Sequence, residues 1–233
     1  MTASGPVVGI VLCGGRSTRM GQDKNWVSWS GQTFLQHVAS ALEAVCTTLI
    51  LIKSAPEQRL PNVYVKIRTE VLVDAVAHAG PAASAQVGLD FVHRWLRRQT
   101  DGSTTLDIAE TNASEPIVFL TGNDSPLLQP ALLQYLVDRV RMGPEFDAAV
   151  PRQNQPQDDC HPLCAAYKLR GRDALQTFLE QGGRSLKGWL TRLHVDWVTE
   201  ADLRTHDPDL RSLLNLNTPA DLAKVLSKPA TDT

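Results

Sequence analysis

One run of residues carries most of the chemistry this sequence offers: Leu12-Cys13-Gly14-Gly15-Arg16-Ser17-Thr18-Arg19-Met20-Gly21-Gln22-Asp23-Lys24. Glycines let a backbone come close to phosphate oxygens, and successive amides can turn inward as an anion-binding nest. Arg16, Arg19 and Lys24 would add charge-assisted bonds to a polyphosphate. The spacings of a Walker loop and of the GxGxxG fingerprint are both absent, which argues against a P-loop NTPase and a nicotinamide dehydrogenase. The plainer reading is a strand-end turn followed by a solvated basic loop.

A loop of this kind needs strands to hold it. Val7–Cys13 is apolar, β-branched and runs into Gly14, as a buried parallel strand entering a ligand loop does. A helical stripe follows over 33–45, with Phe34, Val38, Ala41, Leu42 and Val45 on one face. Thr47–Ile52 reads as a second buried strand and Val63–Ile67 as a third, with 70–73 leading into a loop. A helix opens at Gly80-Pro81, with Ala85, Leu89, Val92 and Leu96 on one face. The polar, aperiodic stretch 97–115 reads as a surface loop.

Pro116–Thr121 is the clearest strand and runs straight into Gly122-Asn123-Asp124-Ser125-Pro126. Beyond it the pattern predicts helices over 127–140, 171–181, 185–192 and 219–226, and strands over 147–150 and 165–169. Asn217 precedes the last helix, and Asp221 lies in its first turn. Strands alternating with helices give an α/β fold: three layers, Rossmann-like, with a mainly parallel central sheet. One domain is expected over 1–226, with a flexible tail at 227–233.

Composition narrows the function classes. An apolar share of 42% is enough for a real core. Basic and acidic side chains nearly cancel, 23 against 25, which argues against a nucleic-acid coat and a polybasic membrane anchor and leaves room for a local basic pocket for phosphates. No apolar run approaches the ~18 residues that span a bilayer. The first apolar stretch has no basic leader and reads as a strand, not as a signal peptide. Four cysteines in a chain of this length suggest free thiols in a reducing compartment, with the cytoplasm expected.

The glycine run resembles the LAGGxSxRMGxDK signature of the molybdenum cofactor guanylyltransferases, within the wider nucleotidyltransferase superfamily. Further pieces follow in that family's order. Asp74 stands ahead of Gly80-Pro81, as an Asp precedes the family's GPL segment. Asn123-Asp124-Ser125-Pro126 is similar to its metal-binding xDxP loop, and His161-Pro162 to its HP before a strand. Gly182-Gly183-Arg184-Ser185-Leu186 resembles its GGRSL-type turn, and Asn217-Thr218-Pro219-Ala220-Asp221 its NTPxD element. The likeness runs from about Val7 to Leu226.

The resemblance implies nucleotidyl transfer, in which a terminal phosphate of molybdopterin attacks the α-phosphate of GTP in line and pyrophosphate leaves. Alignment and neutralisation of developing charge suffice for such a step. The implied nucleotide contacts are Leu12, Cys13, Gly14, Gly15, Arg16, Lys24, Asp74, Gly80 and Asp124. Arg19, Lys24 and Asp124 are the implied catalytic residues, and Mg2+ would rest on Asp124 with Asn217 as a second oxygen donor. A carboxylate at Asp74 suits the guanine N1–H and amino group. The implied partners are GTP and molybdopterin or the molybdenum cofactor, with room for other cofactor-handling proteins.

Competing readings stand beside these. Asp124 and Asn217 could each cap a helix, and Asp74 could be a plain loop carboxylate. Cys13 replaces the family's alanine, Asn123 a residue that is often cysteine, and Gly80-Pro81-Ala82-Ala83-Ser84 its GPLxG. The last change keeps a cytidylyltransferase in view, acting on molybdopterin or another phosphorylated acceptor. A non-catalytic nucleotide-binding homologue would lack the lysine or the aspartate, and both are present. Cys160-His161-Pro162-Leu163-Cys164 suggests zinc but lacks a partner CxxC. Trp26 and Trp29 could stack on a base or a pterin, or pack beside Phe34.

Overall fold

The computed structural model describes residues 5–14, 23–74, 80–100, 115–153 and 159–218, together with 220, 221 and 223; the side chains of 99 and 100 are not described. In chain order the elements are β1 (Val7–Leu12), a two-residue hairpin of β2 (Ser28–Trp29) and β3 (Gln32–Thr33), α1 (Phe34–Glu43), β4 (Thr48–Lys53), β5 (Arg68–Val73), α2 (Pro81–Thr100) and β6 (Ile117–Gly122). There follow α3 (Pro130–Met142), β7 (Ala148–Arg152), β8 (Cys164–Lys168), α4 (Gly171–Glu180), α5 (Leu186–Leu190), β9 (Val195–Thr199) and α6 (Glu200–Arg204). Among the described residues seven strands form one sheet in the order β5-β4-β1-β6-β8-β7-β9. Only β8 runs against its neighbours β6 and β7. The other pairings are parallel.

Helices cover both faces, so the central strands are buried on both sides. The alternation of β1 divides its side chains cleanly. Val7 and Val11 join Leu49, Leu51, Ile117 and Phe119 under α1 and α3. Val8, Ile10 and Leu12 join Ile50, Ile52, Val118 and Leu120 under α2, α4 and α5. This is the period of two expected of a pleated strand, hidden in the sequence because both faces are apolar. The three-layer α/β architecture with a mainly parallel sheet is therefore the observed one. Among the described residues no helix is long and apolar enough to cross a membrane.

Three local expectations are corrected. The third strand is Arg68–Val73, not 63–67. Val63, Val65 and Ile67 do pack on the core, but their backbone meets α1 side chains in place of a strand. Gln36 accepts from the Tyr64 amide (2.8 Å) and donates to its carbonyl (3.1 Å), and Glu43 accepts from the Lys66 amide. Helix α2 continues through Arg97 to Thr100, into the stretch read as loop. Helix α3 begins at Pro130 and not at Leu127, because Pro130 has no amide hydrogen to give and suits the first helical position.

β9 and α6 were not legible. The inward positions of β9 are Asp196 and Val198, so its core-facing pattern carries a charge. Asp196 is buried because Arg139 of α3 grips both its oxygens, each at 2.7 Å.

Candidate active site

The carboxyl ends of β1, β4 and β6 open into a cleft of about 430 Å³. Such strand ends are where open α/β sheets bind ligands. Its walls include Leu12, Gly14, Asp74, Gly80, Ser84, Asn123 and Asp124, from four separate stretches of chain. Gly15, Arg16 and Arg19 lie outside the described residues.

Asp124 follows β6 across Gly122, where a side chain would not fit. A Cβ built on Gly122 would sit 2.6 Å from the Asp124 carboxylate. The Asp124 carbonyl accepts from the Leu216 amide (2.8 Å), and Ser125 donates to Asn215 (3.0 Å), which draws the C-terminal segment onto this loop. That segment carries Asn217 to Lys24, beside Asp124 of the cleft wall. Lys24 Nζ donates to Asp124 Oδ2 at 3.3 Å and also to Asn217 Oδ1. The two side chains of the ion pair are 15% and 23% exposed, so the contact is shielded but within reach of a ligand.

Of the helix read over 219–226 only residues 220, 221 and 223 are described, and the described cap ahead of them is not Asn217. Thr218 takes that place: its hydroxyl accepts from the Asp221 amide (3.1 Å), while Asp221 accepts from the Thr218 amide (2.8 Å). This reciprocal capping box leaves the Asn217 amide group for Lys24.

On the opposite wall Asp74 follows β5, and Ser84 of α2 donates to its Oδ2 at 2.9 Å. Gly80 has φ +98°, a left-handed turn that aims α2 at the cleft. Cys13 is buried, and burial first, then the charge of Asp23, pushes its thiol far above the ordinary range. It therefore stays protonated, and its backbone is committed within the fold: the Cys13 amide donates to the Ile52 carbonyl (2.8 Å), its carbonyl accepts from Asn25 and Gln58, and Cys13 is not part of the cleft wall. Trp29 packs with Val27, Phe34 and Leu216. Trp26 is 48% exposed and donates to the Arg59 carbonyl (3.0 Å), away from the cleft wall.

A second cleft of about 450 Å³ adjoins the first across Pro81 and Leu163. Arg184, Lys187 and His161 line it, so two of the motifs read in the sequence meet there. Cys160 packs with the core under α2, whereas Cys164 belongs to the core under α1 and α3. Burial holds His161 below the ordinary imidazole range; Asp159 pulls it up and Lys187 pushes it down. The unfolded chain thus takes this proton at a higher pH than the folded one. The contribution is present above about pH 6.5 and is lost as pH falls. The urea midpoint should therefore drop between pH 7.5 and 5.5, and His161→Gln should remove part of that drop. Equal declines in both proteins would clear His161 of any role in it.

The model of the MobA-like NTP transferase domain matches residues 9–196. The chain belongs to that family. The molybdenum cofactor guanylyltransferase of Desulfosudis oleivorans is 25% identical over 219 residues, covering 94% of this chain and 93% of that one. The "Probable molybdenum cofactor guanylyltransferase" of Natronomonas pharaonis is 31% identical over 224 residues, with 94% and 96% covered. Among solved structures, the molybdopterin-guanine dinucleotide biosynthesis protein A of Archaeoglobus fulgidus aligns at TM-score 0.67 and 22% identity, over 93% of this chain and 95% of that one. A 4-diphosphocytidyl-2C-methyl-D-erythritol synthase from Anaerococcus prevotii aligns at TM-score 0.60 and 12% identity, over 96% and 97%. The family fold thus serves enzymes named for different bases, and the fold alone does not choose between them. Family membership makes the chain a nucleotidyltransferase, and its named relatives belong to molybdenum cofactor biosynthesis.

Proposed function

We propose that this protein is a magnesium-dependent guanylyltransferase that transfers GMP from GTP to a terminal phosphate of molybdopterin and releases pyrophosphate. The observation that carries this reading is the meeting of Lys24 and Asn217 with Asp124, which lines the cleft. These residues lie 100 and 193 positions apart from the lysine in sequence. The names of the relatives supply the acceptor.

The donor set fits the metal. One carboxylate oxygen and one amide oxygen converge on a single cation, at present the Lys24 ammonium. Two hard oxygens, with the rest of the shell left to phosphates and water, is how magnesium is commonly held at nucleotide sites. Among the described residues no group of three or more acidic, His or Cys side chains forms a closed metal cage. Bound there, magnesium would supply charge neutralisation on the phosphates.

The rest falls to the chain's own residues. The strand-end backbone at Gly14 faces the triphosphate, and Lys24 moves from its two oxygens to the phosphates as the nucleotide arrives. Asp74, fixed by Ser84, faces the base. On this reading the adjoining second cleft, lined by Arg184 and Lys187, receives the phosphorylated acceptor.

One observation favours the cytidylyl reading enough to test it. Ser84 stands where the resembled GPLxG has its second glycine, and its hydroxyl occupies part of the Asp74 carboxylate. Calorimetric titration with GTP, CTP and ATP, each with and without magnesium, separates the readings. GTP is expected to bind at least about tenfold more tightly than the others, as a site built for a base's polar edge discriminates. CTP preference would move the protein to the cytidylyl branch, and turnover with molybdopterin then tests the acceptor.

A further inference from the structure

Two asparagines tie the two halves of the site together. Asn25, fully buried, follows Lys24, and Asn123, 5% exposed, precedes Asp124. The Asn25 Nδ2 group donates to the Cys13 carbonyl (3.0 Å) and to Asp23 Oδ1 (2.7 Å), which uses both its hydrogens. The orientation of that amide is thereby fixed. Its Oδ1 points the other way and accepts from Asn123 Nδ2 at 2.8 Å. Turning either amide over would set like groups against each other.

The frame extends further. Gln58 also donates to the Cys13 carbonyl (2.9 Å), and its Oε1 accepts from the Ser54 amide (2.8 Å) and hydroxyl (3.1 Å). The Asn123 amide donates to the Leu12 carbonyl (3.3 Å). The ends of β1, β4 and β6 therefore share one hydrogen-bond network, part-buried at Gln58 and buried at its Asn25–Asn123 crosslink. Buried amides with their donors satisfied are stiff, because any displacement strands a polar group in a low-dielectric interior.

We propose that the Asn25–Asn123 bond is a positioning device that fixes the separation of Lys24 from Asp124 and so prepares the site for a metal-bound triphosphate. This rests on the functional reading above. Neither asparagine is a catalytic residue; each acts through its neighbour in the chain. An error of about 1 Å between two charge-stabilising groups is enough to cost a large factor in a site that works by alignment. A thiol at position 123 would be too weak a donor to make the same crosslink.

The test is GTP affinity with and without magnesium in the wild type, Asn123→Ala, Asn25→Ala and the double variant, beside their thermal midpoints. Each single variant should lose about tenfold of the magnesium enhancement, with magnesium-free affinity held within about threefold, as expected of misalignment without loss of the loop. The double variant should be no worse than the poorer single, since one bond is removed twice. Asn123→Ser, which keeps a donor, should recover part of the enhancement. Should Asn25→Ala fail to fold, the near-isosteric Asn123→Asp replaces it: its oxygen would face Asn25 Oδ1, and the enhancement should fall as in Asn123→Ala. Unchanged enhancement in folded variants, or single effects that multiply in the double, would overturn the proposal. A wild type indifferent to magnesium would remove the functional reading and this inference with it.

Discussion

Asp124→Ala should lower pyrophosphate release from GTP and molybdopterin by at least about a thousandfold, roughly 4 kcal/mol of transition-state stabilisation. The carboxylate is proposed to hold the one divalent cation that neutralises the reacting phosphates, so its loss removes charge where the demand is greatest. The fold should survive. The structural tie of this position to the C-terminal segment runs through the Asp124 carbonyl to the Leu216 amide, and alanine keeps that bond. The ion pair with Lys24 is partly exposed, and such pairs contribute at most about 1 kcal/mol. A second measurement separates binding from chemistry. GTP affinity without magnesium should hold or rise slightly in Asp124→Ala, because a negative charge has left the phosphate side. The enhancement by magnesium should disappear. Asp124→Asn preserves shape and should lie between the two proteins. A folded Asp124→Ala protein with full turnover would remove the metal assignment outright.

The sheet was legible because its central strands are apolar on both faces, and two of them run into glycine, β1 at Gly14 and β6 at Gly122. Val7–Leu12, Thr48–Lys53 and Ile117–Gly122 lie within a residue of where the pattern puts them. The edges were not legible, for opposite reasons. Val63, Val65 and Ile67 alternate like a strand, yet side chains of α1 satisfy the backbone there. β9 turns an aspartate inward, a placement that makes sense only once Arg139 is beside it.

The same division runs through the site. The glycine run and Asp124 announce themselves by residue type, whereas the Lys24–Asn217 bond spans a separation that no local pattern encodes. Asn123 reads from sequence as a minor exchange for cysteine. Its partner Asn25 carries no signature of its own, so their bond needed coordinates to be seen. Thr218 shows the converse. A Thr-x-x-Asp capping box was present in the sequence and, once read, frees Asn217 from that duty.

Lys24→Met should reduce turnover by about a hundred- to a thousandfold, or roughly 3–4 kcal/mol, the usual cost of removing a preorganised charge from a transferring phosphate. Its second consequence has the opposite sign. In the protein without nucleotide, the Lys24 ammonium lies against the two oxygens proposed to receive magnesium. On the proposed reading a divalent cation arriving alone would have to displace that charge, and the lysine would guard the site until phosphates drew it away. Lys24→Met should therefore bind Mn2+ in the absence of nucleotide more tightly than the wild type does, while losing catalysis. Free-Mn2+ signal measured by electron paramagnetic resonance during titration gives the comparison directly. Lys24→Arg should not restore turnover, since a planar guanidinium cannot place a compact charge between the same two oxygens. Stability should change by less than about 1 kcal/mol, because Asp124 retains access to water. Weaker or equal Mn2+ binding in Lys24→Met would mean that Asp124 and Asn217 do not form the metal's seat. The lysine's role would then be confined to the phosphates.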